Sequence, residues 1–116
     1  MLKVDYYDLP NGDKPVEKFI NKLEPKLKAK VVGMIAVLKE RGYMLREPYT
    51  KSMGGGVFEL RIEYAGDIAR IFFFFIIGGK AVLTNGIIKK KDKTPSGALA
   101  LARKYKKEYE GRLING

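Results

Sequence analysis

The sequence predicts a single α+β domain that spans residues 1–116. Three observations lead to this prediction. Apolar residues recur with a helical period in two segments before residue 42 and in one segment after residue 95. Alternating patterns separated by tight-turn signals occupy residues 57–93, and a short alternating segment opens the chain. The resulting order, β-α-α-β-β-β-α, keeps the helices apart from a mainly antiparallel sheet, which is typical of the α+β class.

The first half of the chain supplies one strand and two helices. Residues 2–6 alternate between apolar and polar and predict a strand, after which 10–13 form a turn whose Asp13 is a candidate N-cap. The first helix carries an apolar stripe at Val16, Phe19, Ile20 and Leu23. Pro25 either ends this helix or begins the next one, which has its stripe at Leu27, Val31, Met34, Ile35 and Leu38 and ends near Gly42. Residues 43–56 are predicted to be a long connection.

Three strands follow, and their turns set the register. If Ala65-Gly66 is a two-residue hairpin turn, Arg61 lies directly opposite Arg70 on one sheet face. A second two-residue turn at Gly78-Gly79 predicts the pairs Ile77 with Lys80, Phe72 with Asn85 and Arg70 with Ile87. Asn85 and Lys89 then share the face of the two arginines, and Phe72 lies between Arg70 and Phe74 on it. A shift of one residue at either turn would exchange the two faces.

Two like charges opposite each other in a sheet repel, so the arginine pair needs an anion. Glu59 and Glu63 lie on the same face and can supply it, and so can a phosphate group. We expect both arginines on an exposed polar face, where their replacement should change stability little.

Composition narrows the function. The formal net charge is +10, and residues 61–116 hold 12 basic against 5 acidic side chains, whereas residues 1–60 hold 11 against 8. This excess favours a polyanionic partner such as nucleic acid over a merely basic soluble surface. The chain contains no cysteine and no histidine, which excludes thiol catalysis and the usual proton shuttle at neutral pH. No metal-ligand cluster and no cofactor motif is visible, so neither a metal nor a cofactor is expected.

The ends of the chain give two further expectations. No signal peptide and no apolar run of membrane-spanning length is visible, so a cytoplasmic location without membrane contact is predicted. Thr94-Pro95 suits the start of a last helix, whose inner face carries Leu101 or Ala102, Tyr105 and Tyr109.

The element order resembles the RelE/ParE toxin superfamily. The segments FELRI and ARIFFFF, followed by GIIKKKDKTP and a basic last helix, resemble its HigB-like branch, many members of which are phage-derived. The resemblance covers nearly the whole chain. It implies a toxin of a type II toxin–antitoxin module, a metal-independent endoribonuclease that cleaves mRNA on the ribosome. It also implies a HigA-like helix-turn-helix antitoxin as partner.

The resemblance also implies roles for single residues. Arg70 matches the arginine that contacts the scissile phosphate in RelE-like enzymes, and Arg61 matches the basic position after the ELR-type leucine. Lys89 and Lys90 match the basic pair after the fourth strand. Asn85 stands where HigB-like sequences often have histidine, and residues 96–102 lack the tyrosine that RelE-like enzymes have there.

The candidate catalytic residues are therefore Arg61, Arg70, Asn85 and Lys89. Glu59, Glu63 and Lys89 are the candidates for the general base. Candidate RNA contacts are Lys90, Lys91, Lys93 and Phe72, although the run from Phe72 to Phe75 is better explained as core. The alternative function is a non-enzymatic one, either binding a protein target such as gyrase, as ParE-like toxins do, or a degenerate nucleic-acid-binding module.

Overall fold

A computed structural model of the chain describes residues 1–89 and 96–115. It contains three helices and one five-stranded sheet, which confirms the predicted α+β class with two N-terminal helices and one C-terminal helix. The elements in chain order are β1 (Lys3–Tyr6), α1 (Pro15–Asn21), α2 (Pro25–Arg41), a 3₁₀ turn (Gly42–Met44), β2 (Thr50–Gly54), β3 (Val57–Tyr64), β4 (Asp67–Ile76), β5 (Lys80–Lys89) and α3 (Ser96–Asn115).

The two N-terminal helices both begin at a proline. Pro25 opens α2, and the side chain of Glu24 accepts a hydrogen bond from the Leu27 amide at 2.7 Å, so this helix has a capped end. The prediction of Asp13 as the cap of α1 is wrong. Lys14 occupies the N-cap position without a side-chain bond, and Asp13 instead accepts a hydrogen bond from Lys18 Nζ at 2.8 Å.

The sheet has the strand order β1-β5-β4-β3-β2, in which only β1 and β5 run parallel. β2 lies inside the segment that was predicted to be a connection. Most of its side chains are exposed, so its sequence shows no alternation of apolar and polar residues. Its strand conformation comes from backbone pairing with β3. Thr50 adds an anchor, since its hydroxyl donates to the Leu45 carbonyl at 2.8 Å.

The first predicted hairpin is confirmed. Ala65 and Gly66 have φ values of 53° and 85°, which a two-residue turn of the primed type requires, and Arg61 pairs with Arg70. Gly66 is suited to this position because glycine adopts positive φ without steric cost.

The second hairpin differs from its prediction at the tip. Ile76 pairs with Lys80, so Ile77 belongs to the loop and the predicted pair of Ile77 with Lys80 is wrong. A β-bulge at Thr84 then adds one residue to β5. The bulge compensates for the longer loop. The two pairs predicted farther from the tip, Phe72 with Asn85 and Arg70 with Ile87, are therefore confirmed.

Side chains on the two faces of the sheet enter different apolar clusters. Helices α1 and α2 cover the face that carries Leu60, Ile71 and Phe73, and this face holds the larger cluster. Helix α3 covers the opposite face, where Ala102 packs with Phe72 and Val57. Phe74 packs with Tyr109 in a further cluster, so the aromatic run of β4 is divided among three clusters.

Gly86 of β5 provides a test of how tightly α1 packs on the sheet. A Cβ atom at this position would lie 2.5 Å from the Phe19 ring. We expect Gly86→Ala to destabilise the protein by about 1–3 kcal/mol, because the α1 ring must move out of its place. Urea denaturation would measure the change. The double variant Gly86→Ala/Phe19→Ala should show less than the sum of the two single effects, and a sum that is simply additive would contradict the contact.

Candidate functional site

Arg61 and Arg70 share one carboxylate. Arg70 Nη1 donates to Glu59 Oε1 at 2.7 Å, and Arg61 Nε lies 3.4 Å from the same oxygen. The three side chains meet because Glu59 and Arg61 are two residues apart in β3 and Arg70 is the cross-strand partner of Arg61. Glu59 is therefore the anion that the sequence required. One carboxylate between two guanidinium groups leaves this trio with an excess of one positive charge.

The members of this trio differ in their access to solvent. The side chain of Glu59 is 0% exposed, that of Arg70 is 6% exposed and that of Arg61 is 30% exposed. The expectation that both arginines are exposed is therefore wrong for Arg70, since α3 packs on the neighbouring Phe72 and Ile87. Arg61 is the member of the trio that a ligand in solution reaches.

The two glutamates considered for proton transfer have different surroundings. Glu59 Oε1 is engaged by arginine, and its buried Oε2 has no hydrogen-bond partner among the described residues. Because a general base must come within hydrogen-bond reach of its proton, a Glu59 closed off in this way acts as a counter-ion in this structure. Glu63 is exposed near the β3–β4 turn, and its backbone carbonyl accepts a hydrogen bond from Lys30 Nζ at 3.2 Å.

Asn85 and Phe72 hold α3 on the sheet. Asn85 Nδ2 donates to the Ala98 carbonyl of α3 at 3.0 Å, and the Thr84 hydroxyl lies 2.8 Å from Asn85 Oδ1. Phe72 is 0% exposed and packs with Ala102. With α3 in this position the Phe72 ring offers no face to a nucleobase, so its predicted RNA contact would need the helix to move.

The basic residues at the end of β5 and after it are only partly described. Lys89 ends β5 opposite Ile68, on the sheet face of Arg70, and is 6% exposed. The structure thus brings Arg61, Arg70, Asn85 and Lys89 to one face, as the register predicted. The candidate RNA contacts Lys90, Lys91 and Lys93 lie outside the described residues.

Helix α3 has two further anchors, which the sequence did not reveal. Arg103 donates hydrogen bonds to the carbonyl oxygens of Gly54 and Met53, at 2.8 Å and 2.7 Å. Near its other end, Arg112 lies 2.8 Å from Asp8 Oδ1 and 2.6 Å from Glu108. The sequence of a helix does not indicate which distant carbonyl or carboxylate one of its basic residues will contact, so these contacts could not be predicted.

The second anchor includes a buried tyrosine. The hydroxyl of Tyr7 donates to Glu108 Oε1 at 2.7 Å, and the Arg112 guanidinium lies 5.0 Å from the centroid of the Tyr7 ring. Burial, reinforced by the hydrogen bond to Glu108, raises the pKa of Tyr7 to about 12. Tyr7 therefore stays protonated and remains a donor at neutral pH.

This anchor predicts a pH dependence of stability. Hydrogen bonds from Arg112 hold the pKa values of Asp8 and Glu108 below their ordinary 3.8 and 4.5. As the pH falls, these two carboxylates therefore become protonated in the unfolded chain before they do in the folded chain. Their contribution to the free energy of unfolding is complete above about pH 4.5 and is lost as the pH falls through the lowered pKa values. We expect Arg112→Gln to flatten the acid limb of the stability curve measured by urea denaturation. Lys104→Gln on the same helix should leave it unchanged, and an acid limb that Arg112→Gln does not alter would contradict the assignment.

Over residues 1–89 and 96–115, no three acidic side chains lie close enough together to hold a metal ion. In the same residues, no helix is both long and apolar enough to cross a membrane.

Comparison with known proteins now identifies the family. The sequence model of the family described as "Phage derived protein Gp49-like (DUF891)" matches residues 18–107. The chain belongs to this family. The Gp49-like family is part of the RelE/toxin-like group, so the superfamily resemblance is confirmed, and the match includes β2 to β5 and most of α3. The search of curated proteins finds no match.

Proposed function

We propose that this Gp49-like protein is the toxin of a type II toxin–antitoxin module and that it cleaves mRNA without a metal ion, on the ribosome. Within the superfamily, we place it in the HigB-like branch. One observation carries the proposal. A cross-strand pair of arginines is balanced by a single buried carboxylate, so the excess positive charge lies at Arg61, where solvent has access. A guanidinium group with this exposure is suited to bind a phosphate oxygen.

The chemistry assigns a role to each side chain. The 2′-hydroxyl of one nucleotide attacks the adjacent phosphorus, the bond to the 5′-oxygen breaks, and the products are a cyclic phosphate and a 5′-hydroxyl. Arg61 stabilises the negative charge that develops on the phosphate oxygens. Glu59 and Arg70 keep Arg61 in place. Glu63, the exposed carboxylate two residues from Arg61 in β3, accepts the proton of the 2′-hydroxyl, and water gives a proton to the leaving 5′-oxygen.

A non-enzymatic function has its own support. Glu59 and Asn85 are both engaged inside the protein, which leaves few described groups for proton transfer near Arg61. A protein with this site binds nucleic acid without cutting it, or binds a protein target such as gyrase.

The proposal includes a partner and a location. A toxin that cleaves mRNA needs an inhibitor in the cell that makes it, and a net charge of +10 favours an acidic one. The partner is a HigA-like helix-turn-helix antitoxin with acidic side chains and an apolar helix face, and it docks against α1 and α2 rather than over α3. Both proteins act in the cytoplasm.

Induced expression followed by mapping of RNA 5′ ends tests the function. New discrete ends within translated reading frames, each with a 5′-hydroxyl, support cleavage. Intact transcripts combined with signs of DNA damage favour the gyrase hypothesis instead. Intact transcripts that crosslink to the protein favour RNA binding without cleavage.

A further inference from the structure

The edge of β3 beyond Leu60 has no strand partner among the described residues. β2 begins at Thr50, which pairs with Leu60, so no described strand continues the pairing beyond this point. Beyond it, the Tyr49 carbonyl accepts a hydrogen bond from the Arg61 amide at 2.9 Å, and Lys30 Nζ donates to the Glu63 carbonyl. A cleft of about 460 Å³ lies between this edge and α2. It shares Arg61 with the arginine trio described above.

The cleft combines apolar walls with a few charged groups. Met34, Val37, Ile62 and Pro48 line it together with the half-exposed Tyr49. Lys30, Arg61 and Glu63 supply the charges. The Lys30 ammonium lies 3.2 Å from the Glu63 carbonyl, so the cation stays at the sheet edge. Apolar walls with a small number of convergent polar groups are the usual make-up of a small-ligand site.

Gly33 is the second observation, and it is independent of the cavity itself. It lies inside the 17-residue helix α2 and lines the cleft one turn from Lys30 and next to Met34. Glycine weakens a helix interior more than any residue except proline. Packing among the described residues does not require it, because a Cβ atom built at Gly33 meets none of their atoms within 4 Å. A ligand that approaches the helix backbone at Gly33 would explain why this position has no side chain.

We propose that this cleft binds one nucleoside of single-stranded RNA, next to the phosphate held by Arg61. The inference rests on the proposed function. The flat faces of the base lie against the apolar walls and Tyr49, and the Gly33 backbone forms the floor. Lys30 and Arg61 neutralise the flanking phosphates.

Two variants of Gly33 test the cleft in the full-length protein. Gly33→Leu fills the cleft, and Gly33→Ala fills it in part. Both replace a poor helix former in open space, so both should raise the melting temperature by a few degrees. The matched control is Val32→Leu, which adds a methylene to an exposed neighbour that does not line the cleft.

Binding is measured by fluorescence anisotropy with a labelled 2′-O-methyl RNA octamer of mixed sequence, which cannot be cleaved. We expect Gly33→Leu to weaken binding about tenfold, since the stacking of one base is lost. Gly33→Ala should have a smaller effect, and Val32→Leu should have none. With an abasic octamer of the same backbone, the wild type and Gly33→Leu should bind equally.

The alternative outcomes are distinct. Wild-type affinity of Gly33→Leu for the mixed octamer overturns the cleft but leaves RNA cleavage through Arg61 untouched. If Gly33→Leu loses binding to a protein partner but keeps its RNA affinity, the nucleoside site is overturned and the cleft is a protein-docking site instead. A wild-type protein that binds no octamer overturns the nucleoside site, whereas the proposed function fails only if mapping of RNA 5′ ends shows no cleavage.

Discussion

Replacing Arg70 by alanine is expected to destabilise the protein by about 3–5 kcal/mol, a large part of the total stability of a small domain. The reason is the carboxylate of Glu59, which is 0% exposed and accepts its shorter hydrogen bond, at 2.7 Å, from Arg70. Without Arg70, the contact that this buried charge keeps among residues 1–89 and 96–115 is the longer one to Arg61, at 3.4 Å. Urea denaturation monitored by circular dichroism would measure the loss.

A double variant separates the lost ion pair from lost packing. Glu59→Gln/Arg70→Met removes both charges and keeps similar volumes, so it should recover much of the stability that Arg70→Ala loses. A double variant as unstable as Arg70→Ala would contradict the ion-pair explanation. The practical consequence concerns toxicity assays, because an inactive Arg70→Ala variant would report unfolding rather than a missing phosphate contact.

The register of the central strands could be predicted because local turn chemistry determines it. Ala65-Gly66 alone places Arg61 opposite Arg70. The pairing of Arg70 with Ile87 was predicted correctly for an incomplete reason. The β4–β5 loop is one residue longer than a Gly-Gly turn, and the bulge at Thr84 restores the register. Without that bulge, the slip would have placed Asn85 on the opposite face.

The burial of the site could not be predicted from local patterns. The inner face of α3, with Ala102 and Tyr109, was predicted correctly, and both residues are buried. Which sheet face the helix covers depends on long-range contacts, such as that of Asn85 with the Ala98 carbonyl. For this reason Arg70 was expected on an exposed face. β2 was missed for a similar reason, since its strand conformation comes from its partner rather than from its own sequence.

Replacing Arg61 by alanine is expected to have the largest effect on function. The side chain is 30% exposed, and Glu59 keeps its shorter contact to Arg70 without it, so the fold should remain stable. We expect RNA cleavage to fall by about 10²–10³-fold, the usual loss when one fixed donor to a developing oxyanion is removed. The dependence of RNA affinity on salt should also become shallower by about one unit of slope, because one phosphate contact is lost. Rates of mRNA cleavage on ribosomes and RNA-binding titrations at several salt concentrations would measure both effects.

Arg46→Ala is the matched control for this prediction. Arg46 is another exposed arginine, and it lines a different groove, bordered by Tyr43, Phe58 and Phe75. Its loss removes the same charge from the protein but no contact to the trio, so cleavage and salt slope should stay near the wild-type values. Equal losses in Arg46→Ala and Arg61→Ala would mean that general positive charge attracts the RNA. Unchanged cleavage in a folded Arg61→Ala variant would contradict the phosphate contact.

An Arg61→Lys variant that restores the salt slope but not the rate would show that the guanidinium fork, rather than its charge alone, stabilises the transition state.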